Sequence, residues 1–284
     1  MVDPEADLAG LERVLHLAAE CDGHFPIGEH KYLDLVSGTT PPHGRVAVVD
    51  DEIVAYLGIT PGATAAMEIA IHPMHRSPQM TDALVAAGIT IARRLGSSEL
   101  RMWVFQPAMV EALVHAGFGP ERELRQLRVS LPITPTRGPV EGIVERTFRP
   151  GVDEAVWLAV NNAAFEDHPE NGSWTREVLA HRMAQSWFRP DGFLMAWAGD
   201  DLAGFCWTKP HDDLGEIYVI AVAPGYRGRG LGRRLTELGL ETIGAMGFDT
   251  AMLYMDADNT TAAGLYGSLG FRLDHVDRSF VSSL

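Results

Sequence analysis

The residues best suited to ligand chemistry lie in a loop rich in glycine and arginine, between residues 225 and 234. The loop follows a β-rich run that ends at Pro224 and precedes an amphipathic segment. Gly228, Gly230 and Gly232 allow backbone N–H groups to approach a ligand closely, and a helix start adds positive dipole character. The same ten residues hold four arginines and no acid. We therefore predict an anion-binding loop, with an exposed basic turn as the alternative.

The charge of the whole chain makes this basic loop distinctive. Its 284 residues include 23 Lys and Arg against 38 Asp and Glu, a net charge of −15. Such acidity argues against a surface that binds nucleic acid or anionic lipid through bulk electrostatics. The loop also lacks the Lys-Ser/Thr pair of a P-loop and the acidic residue of a dinucleotide fingerprint. An anionic ligand must therefore be bound by a local group of residues that is neither a P-loop nor a dinucleotide-binding loop.

The chain contains two copies of one pattern, offset by about 150 residues. A two-strand pattern over residues 45–60 returns over 192–210, and a β-rich run closed by Pro73 returns in the run closed by Pro224. A length of 284 residues also favours two domains, since a domain typically has roughly 100 to 200 residues. We therefore predict two copies of one fold, with chance similarity of α/β segments as the alternative.

The boundary is predicted near Gly138, where prolines and glycines interrupt residues 131–142. The predicted domains are 1–137 and 138–284, each an α+β domain with a mixed, mostly antiparallel sheet flanked by helices. In the second copy we expect helices over 152–165, 175–187, 230–246 and 260–269, and strands over 193–198, 203–208, 216–222, 250–255 and from Phe271.

Several motifs carry a family resemblance. Arg227-x-x-Gly230-x-Gly232 after a strand resembles the acyl-CoA loop of the GNAT (Gcn5-related) N-acetyltransferases. The longer stretches VNNAAFEDHPENGSWT, GFCWTKPH and LGEIYVIAVAPGYRGRGLG resemble the mycothiol synthases, a family of tandem GNAT proteins, and FPIGE in the first half matches more loosely. The resemblance implies two tandem GNAT domains and assigns acetyl-CoA binding to three groups of residues. These are Ile220, Ala221 and Val222; Arg227, Gly228, Arg229, Gly230, Leu231, Gly232 and Arg233; and Asn259, Thr260, Thr261, Ala262, Ala263 and Gly264.

Acetyl transfer to an amine needs a base, donors for the oxyanion and an acid for the leaving thiolate. The resemblance implies that Glu216 is the base, directly or through a water, and that Tyr266 is the acid. The backbone N–H of Val222 is the expected oxyanion donor. The alternatives are a solvated carboxylate at a strand edge for Glu216 and a packed helix aromatic for Tyr266.

The resemblance also implies the acceptor, the cysteinyl amine of desacetylmycothiol. It assigns acceptor binding to Glu29, Glu170, Lys209 and Tyr254, together with Glu216. Polar side chains suit a sugar-inositol acceptor, because a wrong ligand would leave them unpaired at a cost. For Glu29 and Glu170 a solvated surface acid is the alternative, and Lys209 could instead pair with a nearby aspartate.

The first copy lacks the chemical groups of the second. At the repeat offsets, Ala65 stands in place of Glu216 and Leu113 in place of Tyr266. Residues 72–82 contain no glycine, and proline removes a donor there. We therefore expect the first copy to serve as scaffold and as one wall of the acceptor cleft. The two histidines of that loop predict a surface turn rather than a metal site.

The remaining expectations concern compartment and class. Cys21 and Cys206 form no disulfide framework or zinc pattern, and no signal or membrane-spanning segment is recognisable. We expect a cytoplasmic monomer that binds a small molecule and uses no metal, nucleic acid or membrane. Two other functions stay open: a GNAT enzyme for another amine, such as a peptide N-terminus or an aminoglycoside, and a non-catalytic acyl-CoA sensor.

Overall fold

The chain forms two compact units, Met1–Glu123 with Asp277–Leu284, and Leu124–Val276. The structure, a computed structural model, describes residues 8–28, 31–32, 35–36, 43–104, 106–166 and 172–284. No helix in these ranges has the length and apolar character needed to cross a membrane.

The first unit is a sheet with helices packed against it. In chain order its elements are α1 (Leu8–Asp22), β1 (Arg45–Val49), β2 (Glu52–Thr60), β3 (Thr64–Ile71), α2 (Pro78–Arg94), β4 (Glu99–Val104), α3 (Pro107–His115) and the start of β5 (Gly119–Ser130). Asp50 and Asp51 make the first hairpin turn with positive φ angles, as a two-residue I′ turn requires. The strands lie in the order β1-β2-β3-β4, and only β3 and β4 run parallel.

The second unit repeats this arrangement. After β5 it contains β6 (Val144–Thr147), α4 (Glu154–Ala164), α5 (Arg176–Met183), β7 (Phe193–Ala198), β8 (Asp201–Pro210), β9 (Gly215–Val222), α6 (Leu231–Ala245), β10 (Thr250–Asp256), α7 (Thr260–Ser268) and the start of β11 (Arg272–Ser283). The strand order is β5-β10-β9-β8-β7-β6, with only β9 and β10 parallel. The predicted α+β fold, a mixed and mostly antiparallel sheet flanked by helices, is confirmed.

The division between the units differs from the boundary predicted at Gly138. The chain passes from the first unit to the second between Glu123 and Leu124, inside β5. It returns to the first unit at Asp277, inside β11, whose residues 278–283 pair antiparallel with β4. The physical reason is this long-range pairing, which no local composition change marks. The proline-containing segment 131–142 therefore belongs to the second unit.

A buried ion cluster fixes the start of α4 in the second unit. Asp153 is 1% exposed and accepts hydrogen bonds from Arg146 Nη1 and Nη2 at 2.6 and 2.9 Å. The backbone N of Arg149 also donates to it, at 2.7 Å. Burial alone would raise the pKa of Asp153, but these donors outweigh it and lower the pKa to about 2.

This cluster predicts a pH-dependent loss of stability. A depressed carboxyl pKa contributes stability above the unfolded-state value, and that contribution is lost as the pH falls toward the folded-state value of about 2. At pH 7 we expect Asp153→Asn to lower the free energy of unfolding by about 3 kcal/mol, because it leaves arginine charge uncompensated. In urea titrations the difference from wild type should shrink between pH 4 and pH 2. The exposed Asp191→Asn change should stay within about 0.5 kcal/mol at every pH; an equal loss in both variants would contradict the prediction.

Candidate active site

The parallel strands β9 and β10 separate soon after they meet. They pair at two positions, of which the second sets Met252 opposite Glu216. On its other side β9 pairs with β8 along its length, but the register shifts by one and leaves Tyr218 as an extra residue. A bulge of this kind bends a strand and strengthens its twist. Beyond Glu216, β9 and β10 are no longer paired, and the space between them is here called the gap.

The backbone of β9 presents hydrogen-bonding groups to this gap. The N–H of Ala223 donates to Ala203 of β8 at 2.9 Å. In a strand, the N–H and C=O of one residue point to one side and those of the next residue point to the other side. The N–H and C=O groups of Ile220 and Val222 therefore point away from β8. The carbonyl of Val222 accepts a hydrogen bond from Arg227 Nε at 3.4 Å. The N–H of Val222, the predicted oxyanion donor, thus points toward the gap.

Three of the predicted acceptor-binding residues share one face of the sheet. Lys209 is the partner of Glu216 on β8, and Met252 is its partner on β10. Cross-strand partners project from the same face, and so does Tyr254, two residues beyond Met252. The register therefore places Lys209, Glu216 and Tyr254 on a common face.

Glu216 is a buried carboxylate with a partner that reaches solvent. The residue is 7% exposed. Its Oε2 lies 2.8 Å from Nε2 of His211, in the turn between β8 and β9, and the two side chains are 10% and 33% exposed respectively. This contact connects the predicted base to the protein surface. Sequence reasoning gave His211 no role, although His211 ends the quoted GFCWTKPH motif.

Lys209 and Tyr254 each have a defined neighbourhood on the same face. Lys209 is buried, and its ammonium lies 4.9 Å from the ring centre of Trp187 and 5.3 Å from that of Tyr218. Rings at this distance attract a cation through their quadrupoles. The Tyr254 hydroxyl accepts a hydrogen bond from Gln126 Nε2 at 2.8 Å. Glu29 and Glu170, the other two predicted acceptor residues, lie outside the described residues.

Tyr266 lies on the opposite side of the sheet. Gly215, next to Glu216, packs against Ile243 of α6, so α6 covers the face that Glu216 does not use. Tyr266 of α7 belongs to the apolar cluster on this side, and its ring centre lies 5.5 Å from that of Phe271. Burial is the main cause that raises the pKa of Tyr266. The phenol therefore stays protonated at neutral pH, as a general acid requires.

The glycine loop has the backbone conformation of an anion cradle. Gly228 and Gly230 have φ angles of 78° and 83°, in the left-handed region that favours glycine. Gly230 is the N-cap of α6 and offers no capping side chain. The first N–H groups of α6 are therefore available to an external anion. At α7, by contrast, the Asn259 side chain caps the helix by accepting from Ala262 N at 3.0 Å.

The arginines of the loop divide into two groups. Arg234 forms a two-point ion pair with Glu145, at 2.9 Å for both contacts, and Arg233 lies 3.9 Å from Glu237, so both have a carboxylate partner. Arg227 and Arg229 donate to backbone carbonyls, at 3.4 Å or less. Within the described ranges neither of these two has a carboxylate at ion-pair distance. No described carboxylate therefore neutralises the charge of either arginine.

The equivalent arginine of the first unit is neutralised within the protein. Arg76 Nε lies 3.3 Å from the carbonyl of Ile71, which reproduces the contact between Arg227 and Val222. Its guanidinium, however, forms a two-point ion pair with Asp22, at 2.7 and 2.8 Å. The helix that follows is capped by a Ser77 side chain. The first unit thus retains the arginine but supplies its own anion.

Comparison with known proteins identifies this architecture. Residues 154–271 match the model of the acetyltransferase (GNAT) family. The mycothiol acetyltransferase of Thermobispora bispora is 40% identical, over 97% of this chain and 94% of that protein. The corresponding proteins of Streptomyces scabiei and Streptomyces bingchenggensis are 39% and 41% identical, over 98% and 94% of this chain and 94% and 91% of theirs. This chain belongs to the mycothiol acetyltransferase family. It is therefore an acetyltransferase, and the predicted family is confirmed.

Solved structures show the same fold at lower identity. A GCN5-related N-acetyltransferase from Sphaerobacter thermophilus superposes with a TM-score of 0.74 at 22% identity, over 98% of this chain and 93% of that one. A tandem GNAT protein from the clavulanic acid biosynthesis pathway superposes with a TM-score of 0.75 at 17% identity, over 98% of this chain and 95% of that one. Two successive GNAT units, as predicted, are thus a fold seen in solved proteins.

The geometry of Gly230 predicts that a side chain there impairs binding of acetyl-CoA, the acetyl donor of GNAT enzymes. Its φ of 83° is unfavourable for a β-branched residue, and a Cβ would collide with the Arg137 guanidinium. We expect Gly230→Val to weaken acetyl-CoA binding at least tenfold in isothermal titration calorimetry. Gly247→Val is the matched control, because Gly247 has a φ of 97° at the other end of α6 and no neighbouring atom within 4 Å of a Cβ. Equal losses in the two variants would show that the effect is general strain.

Proposed function

We propose that this acetyltransferase moves the acetyl group of acetyl-CoA to the cysteinyl amine of desacetylmycothiol, and that the reaction takes place in the second unit. The observation that carries the proposal is the position of Glu216, at the last paired residue before β9 and β10 separate. The relatives named mycothiol acetyltransferase, at about 40% identity, support the acceptor.

The acetyl donor is held by the gap and by the loop. The backbone groups of Ile220 are available to a pantetheine amide, as an added strand would use them, and the N–H of Val222 is available to the thioester carbonyl. The N–H groups from Gly228 to Gly232 and the start of α6 suit the pyrophosphate, and the Arg227 and Arg229 charges favour it. In the first unit the corresponding arginine, Arg76, is already paired with Asp22. We therefore assign donor binding to the second unit alone.

Proton transfer is divided between the two faces of the sheet. Glu216 receives the proton of the acceptor ammonium, directly or through a water, and His211 at 2.8 Å offers that proton a path to solvent. The Val222 N–H stabilises the oxyanion formed at the thioester carbonyl. Tyr266, kept neutral by burial, protonates the leaving thiolate on the other face. The amine thus attacks from one side of the gap while the thiol leaves on the other.

Direct transfer is favoured over an acyl-enzyme. Cys206 is fully buried against Gly239 of α6, and burial raises the pKa of its thiol. A protonated, inaccessible thiol is a poor nucleophile. Cys21 is exposed, but it belongs to the first unit.

The acceptor assignment predicts a selective enzyme. Purified protein should release thiol from acetyl-CoA rapidly with desacetylmycothiol. With peptide amines or aminoglycosides kcat/KM should be at least 100-fold lower, because their polar groups do not match the polar face formed by Lys209, Glu216 and Tyr254. The measurement is thiol release with Ellman's reagent, corrected for the acceptor's own thiol, with acetylated product identified by mass spectrometry. Similar rates on unrelated amines would favour a different GNAT acceptor. Acetyl-CoA binding without turnover on any amine would favour a sensor.

Substitution at the two predicted catalytic groups should separate chemistry from binding. Glu216→Gln and Tyr266→Phe should each lower kcat by 100-fold or more, in line with the usual contribution of general acid–base catalysis. The dissociation constant for acetyl-CoA, measured by calorimetry, should change less than threefold in Glu216→Gln. The exposed Glu241→Gln change on α6 is the control and should retain full kcat. Normal turnover in Glu216→Gln would remove the residue from the mechanism.

A further inference from the structure

A fully buried carboxylate ties the segment after β5 to α6. Glu237 is 0% exposed, in the second turn of α6. Its Oε1 accepts from the backbone N and the hydroxyl of Thr136, at 3.0 and 2.8 Å, and its Oε2 accepts from the backbone N of Arg137 at 3.2 Å. Arg233 Nη1 lies 3.9 Å away. A buried charge needs such partners, and here they fix two consecutive backbone positions.

This anchoring places the Arg137 side chain over the anion-binding loop. Its Nη1 lies 3.5 Å from the carbonyl of Arg229, and its guanidinium occupies the space where a Cβ of Gly230 would project. Gly230 is the N-cap of α6, at the centre of the predicted pyrophosphate loop. A residue about 90 positions away in sequence is therefore part of the same site.

The Arg137 side chain forms no ion pair with any carboxylate that the structure describes. Across the described residues its guanidinium has no carboxylate at ion-pair distance, a property it shares with Arg227 and Arg229. Glu237 is satisfied by backbone and hydroxyl donors and by Arg233, so it positions Arg137 without pairing with its guanidinium. Three unneutralised guanidiniums around one glycine loop, in a chain of net charge −15, indicate a multiply charged anion.

We propose that Arg137 binds a phosphate of acetyl-CoA and that Glu237 is the positioning residue that holds it in place. This inference rests on the proposed function, since it assumes acetyl-CoA as the donor. The donor carries a pyrophosphate and a 3′-phosphate, both of which accept the N–H groups of a guanidinium. Arg137 thus extends the phosphate site beyond the loop and helix that the motif contains.

The test compares donor binding in Arg137→Gln with wild type. We expect the dissociation constant and the KM for acetyl-CoA to rise about tenfold with kcat unchanged, because a charge-assisted contact to the phosphate is lost and the reacting groups are not. The dependence of binding on salt should weaken as well. Arg94→Gln, at the exposed end of α2 in the first unit, removes the same charge elsewhere and should leave binding unchanged.

Dephospho-CoA, which lacks the 3′-phosphate, identifies the phosphate that is bound. A penalty of Arg137→Gln that persists with dephospho-CoA assigns the contact to the pyrophosphate, and one that disappears assigns it to the 3′-phosphate. Either result supports the proposal. Arg137→Lys, which keeps the charge but not the planar fork, should recover part of the affinity.

Glu237→Gln tests the positioning role, because it retains Arg137 but replaces one of the two acceptor oxygens, which bind Thr136 and the backbone N of Arg137, with an NH2 donor. Glu237→Gln should weaken acetyl-CoA binding less than Arg137→Gln does. The loss of affinity caused by Arg137→Gln should also be smaller in the Glu237→Gln background than in wild type. Should Glu237→Gln fail to fold, Thr136→Val removes one hydroxyl donor and serves the same comparison.

Wild-type affinity and salt dependence in Arg137→Gln, or equal losses in Arg137→Gln and Arg94→Gln, would overturn the proposal while the proposed function stands. If the wild-type protein bound no acetyl-CoA, both the role of Arg137 and the proposed function would be wrong.

Discussion

The separation of β9 from β10 at Glu216, beside a one-residue bulge in β9, is the feature on which the proposed active site depends. The extra residue, Tyr218, interrupts the register with β8, and β9 leaves β10 after two paired positions. In the first unit β2 and β3 pair with no such shift, and β3 stays beside β4 for four positions, from Thr64 to Met67. The two units thus share a topology but differ in how far the central strands open. The opening exposes the backbone that a donor could use and leaves Glu216 at its edge.

The two units also differ in how each treats its loop arginine. Arg76 and Arg227 make the same contact with the carbonyl at the end of the preceding strand. Only Arg76 receives a carboxylate, from Asp22, which converts a ligand-binding charge into a link between α1 and the loop. An internal ion pair of this geometry would have to be broken before an anion could bind, and partly buried pairs are costly to break. The first unit has therefore kept the fold while using its arginine for stability.

The local part of the site follows from the sequence, and the long-range part does not. The placement of the glycine loop at the start of α6 is predictable from the apolar periodicity of that helix, and the placement of Tyr266 on α7 from the Asn259 cap. Glu216 lies at the start of a run of strand-forming residues. The bulge is not predictable, because Tyr218 stands in an ordinary run of strand-forming residues. The contact of His211 with Glu216 depends on that hairpin register. The pairing of β11 with β4 joins segments far apart in sequence, which local composition cannot encode.

Acidic residues are what make a basic site possible in this acidic chain. Glu145 forms an ion pair with Arg234, and Glu237 accepts hydrogen bonds from the backbone of the segment that carries Arg137. Both carboxylates therefore have a structural role. Glu237 is fully buried and Glu145 is partly buried, so solvent screens these contacts less than it screens contacts on the open surface. The arginines that face the loop are those whose hydrogen bonds go to neutral carbonyls, which orient a guanidinium without cancelling its charge. Position, rather than the number of arginines, therefore decides which charges a phosphate can use.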